Sequence, residues 1–203
     1  MSIPDTPIRY AARQSGLSLV ELVMFIVVVS VGVVGLLAVQ NVTSKSSADP
    51  MVRKQALAIA ESMLEEVMLM PFTFCDPDDE NAETATTVAA CVNDQDKGGG
   101  TLNGPTPAAE TRYSATNPFD NVADYAGFAM NTSGIYDITS GGAAAIAGLG
   151  AYKLRPISIS RVATLPNVPA SAALLITVTV VDPLGEEITV EGIRTRYAPR
   201  TTP

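Results

Sequence analysis

The first apolar run of the chain, from Leu22 to Val39, contains no charged residue. At a rise of about 1.5 Å per residue, a helix of this length matches a hydrocarbon core of roughly 30 Å, so the run predicts a membrane-spanning helix. Polar residues follow at 41–49. The Asp49-Pro50 step predicts a kink or short break, because proline disfavours the helical conformation of the residue before it.

A helical period returns after this step and gives the second part of the helix an apolar face. Pro71 predicts where the helix ends, and Arg53, Lys54 and Glu61 lie off the apolar face. The second part is therefore expected to pack on a core, whereas the first part is apolar all round. The stripe consists of Val52, Ala56, Ile59, Ala60, Met63, Leu64, Val67 and Met68.

The last third of the chain alternates as β-strands do. Residues 152–162 alternate weakly, and Pro156 favours an edge position for part of them. Leu174–Val181 places apolar residues on one face and threonines on the other. The predicted fold class is α+β: a long N-terminal α-helix, first half transmembrane and second half amphipathic, packed on a C-terminal antiparallel β-sheet.

The final strand is expected to form a hairpin, because Asp182-Pro183-Leu184-Gly185 is a turn sequence. Ile188 and Val190 then alternate, but Ile193 and Tyr197 fall out of phase with them. A β-bulge at Glu191-Gly192 is predicted from this slip.

Charge and composition exclude several classes of function. The 203-residue chain has a net charge of −8 and no histidine, which removes Ser-His and Cys-His catalysis and the usual zinc sites. No nucleophile motif or phosphate loop is present, so an enzyme is not expected. Duplex nucleic acid requires a basic patch, and the acidity of the chain argues against DNA unless Arg112, Lys153 and Arg155 form a local patch.

Acidic loops raise the question of a metal site. Asp76–Glu80 is an acidic run, and Asp94–Gly98 has the beginning of a calcium-loop pattern. The EF-hand spacing fails, because Gly98 holds the fifth position and Pro105 the place of the bidentate glutamate. A solvated acidic loop is therefore expected, with no metal and no cofactor.

The two cysteines, Cys75 and Cys91, fit neither a CxxC redox motif nor a metal site. In an oxidising compartment they can close a loop worth about 3 kcal/mol in the chain-entropy model. In a reducing compartment they remain two unpaired thiols.

Arg9 and Arg13 precede the apolar run and outweigh Asp5, which predicts a cytoplasmic N-terminus and an external remainder. The apolar run is too long for a secretory signal peptide, so the simplest alternative is a permanent signal anchor. A carboxylate within the start of the apolar segment, Glu21, and a glycine at its boundary, Gly16, argue against a plain anchor.

The residues from Gln14 to Glu21, QSGLSLVE, resemble the prepilin peptidase site of type IV pilins and type II secretion pseudopilins. The resemblance implies cleavage after Gly16 and methylation of the new N-terminal residue, Leu17, where most of the family have phenylalanine. It also implies that Glu21 pairs with the amine of a neighbouring subunit. Such a pair satisfies two charges that would each be costly alone in an apolar bundle.

Two further segments, Ala56–Glu66 with the following Pro71-Phe72 and Phe119–Phe128, resemble the MSHA-type minor pilins, the MshD-like group. The aromatic residues of the second segment can equally be a loop that plugs the edge of the sheet. The expected organisation is a leader peptide (1–16), a transmembrane and filament-core helix half (17–40), an amphipathic helix half (41–71) and a head (72–203) with irregular loops 72–150 and a β-sheet 151–198.

The resemblance implies a minor pilin-like subunit that enters or primes a type IV pilus. Its expected partners are a prepilin peptidase, other pilin subunits and the inner-membrane assembly machinery, and nucleic acid is not expected. The precursor would lie in the bacterial inner membrane with a periplasmic head, and the mature chain in an extracellular filament. The alternatives are a type II secretion pseudopilin and a pilus-borne adhesin or DNA-uptake module.

Overall fold

The computed structural model describes residues 16, 18–95, 102, 104–139 and 141–197, and for 38–49 the helical backbone alone. One long helix, α1, runs over Leu19–Leu69 with Pro50 inside it. The short break expected at Asp49 is therefore wrong, and the alternative of a kink stays a prediction: proline removes one backbone hydrogen bond, and the helix continues on both sides of it. The chain divides into two compact units, Met1–Ala48 and Asp49–Pro203.

The C-terminal part of α1 supplies one wall of the core of the second unit. The whole predicted stripe takes part, because Ala56, Ala60 and Val67 are fully buried and Val52, Leu64 and Met68 pack partly buried around them. The helix ends two residues before Pro71, as the sequence predicts.

Four antiparallel strands form the opposite wall: β1 (Lys153–Leu154), β2 (Ser158–Arg161), β3 (Ala173–Val181) and β4 (Glu187–Thr195). The central strand is β3, with β4 on one side and both β1 and β2 on the other. Pro156 lies in the interruption between β1 and β2, in agreement with the predicted edge position. The α+β fold class is confirmed.

The β3–β4 hairpin has a continuous register from Ala173 opposite Thr195 to Val181 opposite Glu187, so the predicted bulge at Glu191-Gly192 is wrong. The inward face of β4 continues through Gly192, against the side chain of Leu64. Ile193 and Tyr197 instead lie on the exposed face. The apparent phase slip arises because Ile193 is an apolar residue on the solvent side of β4 and Tyr197 follows the end of the strand.

Between α1 and β1 the described residues form loops that contain two short 3-10 helices, Val88–Ala90 and Val122–Tyr125; a third, Ala170–Ala172, precedes β3. The 3-10 helix Val122–Tyr125 begins with a capping box. The side chain of Asn121 accepts a hydrogen bond from a backbone N–H of the helix, and the side chain of Asp124 accepts one from the backbone N–H of Asn121. Phe119 packs edge-to-face on Tyr125, with ring centroids 4.9 Å apart. These aromatic side chains belong to the core itself.

Candidate functional site

The N-terminal part of α1 presents an apolar surface in every direction. The segment Leu19–Leu37 is long and apolar enough to cross a membrane, and all of its side chains are exposed. A soluble surface rarely carries a continuous apolar area of this size. The segment is therefore suited to a membrane or to the helices of other chains.

Glu21 lies in the first turn of this helix, where a carboxylate is favoured by the helix dipole. Its side chain is exposed among apolar neighbours, including Leu22 and Phe25. Gly16, the predicted residue before the cut, precedes the helix and is also exposed. Leu17, the predicted methylated residue, lies outside the described residues.

In the head, the disulfide between Cys75 and Cys91 closes a loop, with a Cα–Cα distance of 5.2 Å. The structure therefore contains the disulfide rather than two free thiols. Backbone hydrogen bonds hold the ends of the loop together, from Asp76 N to Asn93 O (2.9 Å) and from Gln95 N to Phe74 O (3.0 Å).

The expectation of a solvated acidic loop is wrong for part of this region. Asp76 and Gln95 are fully buried, and Asp79 is nearly so. The amide Nε2 of Gln95 donates to Asp76 Oδ2 at 2.8 Å, so the two ends of the loop face each other through their side chains. Residues 96–101 lie outside the described part of the chain. They include the positions of the Asp94–Gly98 pattern that follow Gln95.

Four carboxylates from three loops, the disulfide loop among them, converge in the head. We call Asp76, Glu110, Asp120 and Asp124 the acidic cluster; one oxygen from each lies within 4.8 Å of the others. Asp124 accepts from the backbone N–H of Asn121 at 2.8 Å, which fixes its orientation. Asp76, Glu110 and Asp124 are buried and Asp120 is half-buried.

The surroundings of two members of the acidic cluster disfavour their charged forms. Burial, followed by the charges of Asp124 and Asp76, raises the pKa of Glu110 to about 8. Burial and the same two charges raise the pKa of Asp120 to about 7. Among the described residues, Glu110 Oε2 and Asp120 Oδ1 are buried without a hydrogen-bond partner.

A second polar site joins the helix to the loops of the head. Arg112 donates to both oxygens of Glu66, from Nε at 2.6 Å and from Nη2 at 2.7 Å. The hydroxyl of Tyr125 donates to Glu66 Oε1 at 2.8 Å. Burial alone would lower the pKa of Arg112, but the hydrogen bond and charge of Glu66 outweigh it and the pKa is raised.

The arginines considered for a nucleic-acid patch are engaged elsewhere. Arg112 is buried against Glu66, and Arg155 pairs with Glu187 at 2.7 Å on the surface. Two of the three cations are therefore neutralised by carboxylates, which weakens the case for a DNA-binding face.

The sequence predicted the disulfide of Cys75 and Cys91, which the structure shows, whereas the roles assigned to Gly16, Leu17 and Glu21 stay predictions. Both polar sites of the head were missed. The acidic cluster has no motif, because its members come from loops far apart in sequence. The available signal was the four-residue spacing of Asp120 and Asp124 within a segment rich in aromatic residues. Searches of protein-family models, of curated proteins and of solved structures found no match to this chain.

Proposed function

We propose that the chain is a minor pilin-like subunit of an MSHA-type type IV pilus, made as a membrane precursor and cut by a prepilin peptidase. The observation that carries the proposal is Glu21, a carboxylate in the first turn of a helix whose segment Leu19–Leu37 is exposed throughout and, apart from Glu21 and Ser30, carries no polar side chain. A carboxylate in such surroundings needs a positively charged partner, because an unpaired charge in hydrocarbon is costly.

Processing would supply that partner. Hydrolysis of the peptide bond after Gly16 frees an α-amine on Leu17, four residues before Glu21 in the sequence. Methylation leaves the amine able to carry a positive charge. In a bundle of such helices, the amine of one subunit and the Glu21 carboxylate of the next satisfy each other and set the register of otherwise uniform apolar surfaces.

The two parts of α1 differ in what their side chains contact, which supports a different role for each. Ala56, Met63 and Val67 are committed to the core of the head, so the C-terminal part needs no other partner. The N-terminal part has an unpartnered surface that can exchange lipid for neighbouring subunits. A type II secretion pseudopilin would use the same chemistry, and the neighbouring genes distinguish the two systems.

The direct test is Glu21→Ala in the full chain, expressed in the native cell. Membrane insertion and leader removal are expected to persist, whereas the amount recovered in sheared filaments should fall by at least about tenfold, because the amine of the neighbouring subunit loses its partner. Equal incorporation of the variant and the natural chain would overturn the proposed role.

Ser30→Ala is the matched control. It also removes a polar group from the apolar helix, but Ser30 Oγ donates to its own helix at Ile26 O (2.7 Å). Its loss leaves no charge unpaired, so normal incorporation is expected.

A further inference from the structure

We propose that the acidic cluster of the head binds one Ca²⁺ ion. The first reason is that a buried member of the cluster has an unsatisfied acceptor. Glu110 is only 3% exposed, contributes an oxygen to the cluster, and has Oε2 buried without a partner in the described structure. A buried carboxylate oxygen without a donor is rare unless a cation or proton satisfies it.

The surroundings supply more oxygen than hydrogen-bond donors. Asp120 Oδ1 is also buried without a partner, and so is the amide oxygen of Gln95. The Nε2 of the same amide is bound to Asp76, one of the four carboxylates. Carboxylate and amide oxygens are the ligands that Ca²⁺ takes in proteins, in sets of about six to eight with water.

The donor set selects against other metals. The sequence has no histidine, and both cysteines form the disulfide, so the nitrogen and sulfur ligands of zinc and copper are missing. Oxygens on opposite sides of Ca²⁺ are about 4.6–5.2 Å apart, against about 4.0–4.2 Å for Mg²⁺. In the acidic cluster one oxygen from each of four carboxylates lies within 4.8 Å of the others, and a set of this kind favours Ca²⁺ because Mg²⁺ is usually bound through only one or two carboxylates.

The acidic cluster is accessible and is well placed to stabilise the head. Glu110 and Asp124 line a cleft of about 600 Å³, which offers a hydrated ion a route to them. Asp76 belongs to the disulfide loop, Glu110 to the next loop, and Asp120 and Asp124 to the aromatic segment. One ion would therefore join three loops that lack extended secondary structure of their own.

The first experiment uses the full chain in detergent micelles, stripped with EGTA and titrated with CaCl₂ in a calorimeter. One ion per chain is expected, with a Kd of roughly 1 mM or tighter, the range of extracellular calcium modules. A hundredfold excess over Kd should raise the unfolding midpoint by roughly 5–10 °C. Absence of saturable binding up to about 10 mM CaCl₂ would overturn the proposal.

The matched variant is the double substitution Glu110→Gln with Asp120→Asn, which keeps shape and removes two charges. It should lose the heat of binding and the calcium-dependent shift. Without calcium it should melt above the natural chain, because repulsion within the acidic cluster is relieved. Retention of calcium binding by a folded double variant would contradict the assignment. If the variant does not fold, the titration of the natural chain decides alone.

Glu83→Gln is the control for charge removal, since Glu83 is exposed in the disulfide loop and outside the acidic cluster. Its calcium response should equal that of the natural chain. A parallel titration with MgCl₂ tests the choice of ion: weaker binding of Mg²⁺ supports the proposal, and tighter binding of Mg²⁺ than of Ca²⁺ overturns it.

Discussion

At the scale of single residues, the head depends on charges that are buried and paired. The Glu66 carboxylate lies on α1 and receives both Arg112 and Tyr125 from the loops, so three segments meet at one group. Buried ion pairs of this kind add little stability compared with apolar residues in the same place. Removing one partner lowers the stability strongly, because the other charge remains buried without its partner.

Arg112→Ala is therefore expected to lower the free energy of unfolding by about 3–5 kcal/mol, because Glu66 retains only the Tyr125 hydroxyl. Urea unfolding followed by tyrosine fluorescence measures the change, as the chain contains no tryptophan. Arg112→Lys should recover only part of the loss, because lysine lacks the two-pronged geometry.

The matched control is Arg155→Ala, which removes the exposed pair with Glu187, whose side chains are 57% and 50% exposed. A loss of less than about 1 kcal/mol is expected, because solvent screens such pairs. Equal effects at the two arginines would contradict the distinction between buried and exposed pairs.

Candidate site residues could be predicted from the sequence only where a proposed role follows from local spacing. Gly16 and Glu21 are separated by a fixed number of residues at the start of an apolar run, so their pattern is visible without a fold. The acidic cluster and the Glu66–Arg112 pair depend on how the loops between α1 and β1 fold. Those loops have no periodicity from which their contacts can be predicted.

At the scale of elements, the contact between α1 and β4 depends on a glycine. A Cβ at Gly192 would lie 3.1 Å from Leu64 Cδ1 and 3.4 Å from Met68 Sδ. The predicted bulge placed Ile193 inward because apolar residues were assumed to face the core. In the structure Gly192 faces the helix instead. An alternation of apolar and polar residues does not indicate that a glycine occupies an inward position.

Gly192→Ala is expected to destabilise the chain by about 1 kcal/mol, because the Leu64 side chain must shift by a few tenths of an ångström to admit a methyl group. Gly150→Ala is the control, since a Cβ there meets nothing within 4 Å and its backbone angle is one that alanine adopts. It should be neutral or stabilising by up to about 1 kcal/mol. Similar losses at both positions would exclude the packing explanation.

The disulfide stabilises the loop that carries Asp76. Cys75 and Cys91 are 16 residues apart, and replacing both by serine should cost about 3 kcal/mol through the entropy of the unfolded chain. Thermal unfolding with and without the bond measures this loss. An unchanged midpoint would mean that the loop is already ordered by its other contacts.

At the scale of the whole molecule, the chain combines a head that has its own hydrophobic core with an apolar helix segment, Leu19–Leu37, whose side chains are exposed among the described residues. The amphipathic stripe and the β3 alternation allowed the α+β architecture to be predicted, because each follows a simple period. The loops between Leu69 and Lys153 were predicted only as irregular. Their order comes from a disulfide, a capped turn and buried charges, which periodicity does not encode.

The central claim is that this exposed helix begins at a processed N-terminus. The most direct test is the intact mass and N-terminal sequence of the protein recovered from its native cell. Cleavage after Gly16 and methylation of the new N-terminus predict a chain that starts at Leu17 and carries one added methyl group. A chain with residues 1–16 still attached would contradict it and would make Leu19–Leu37 a permanent anchor.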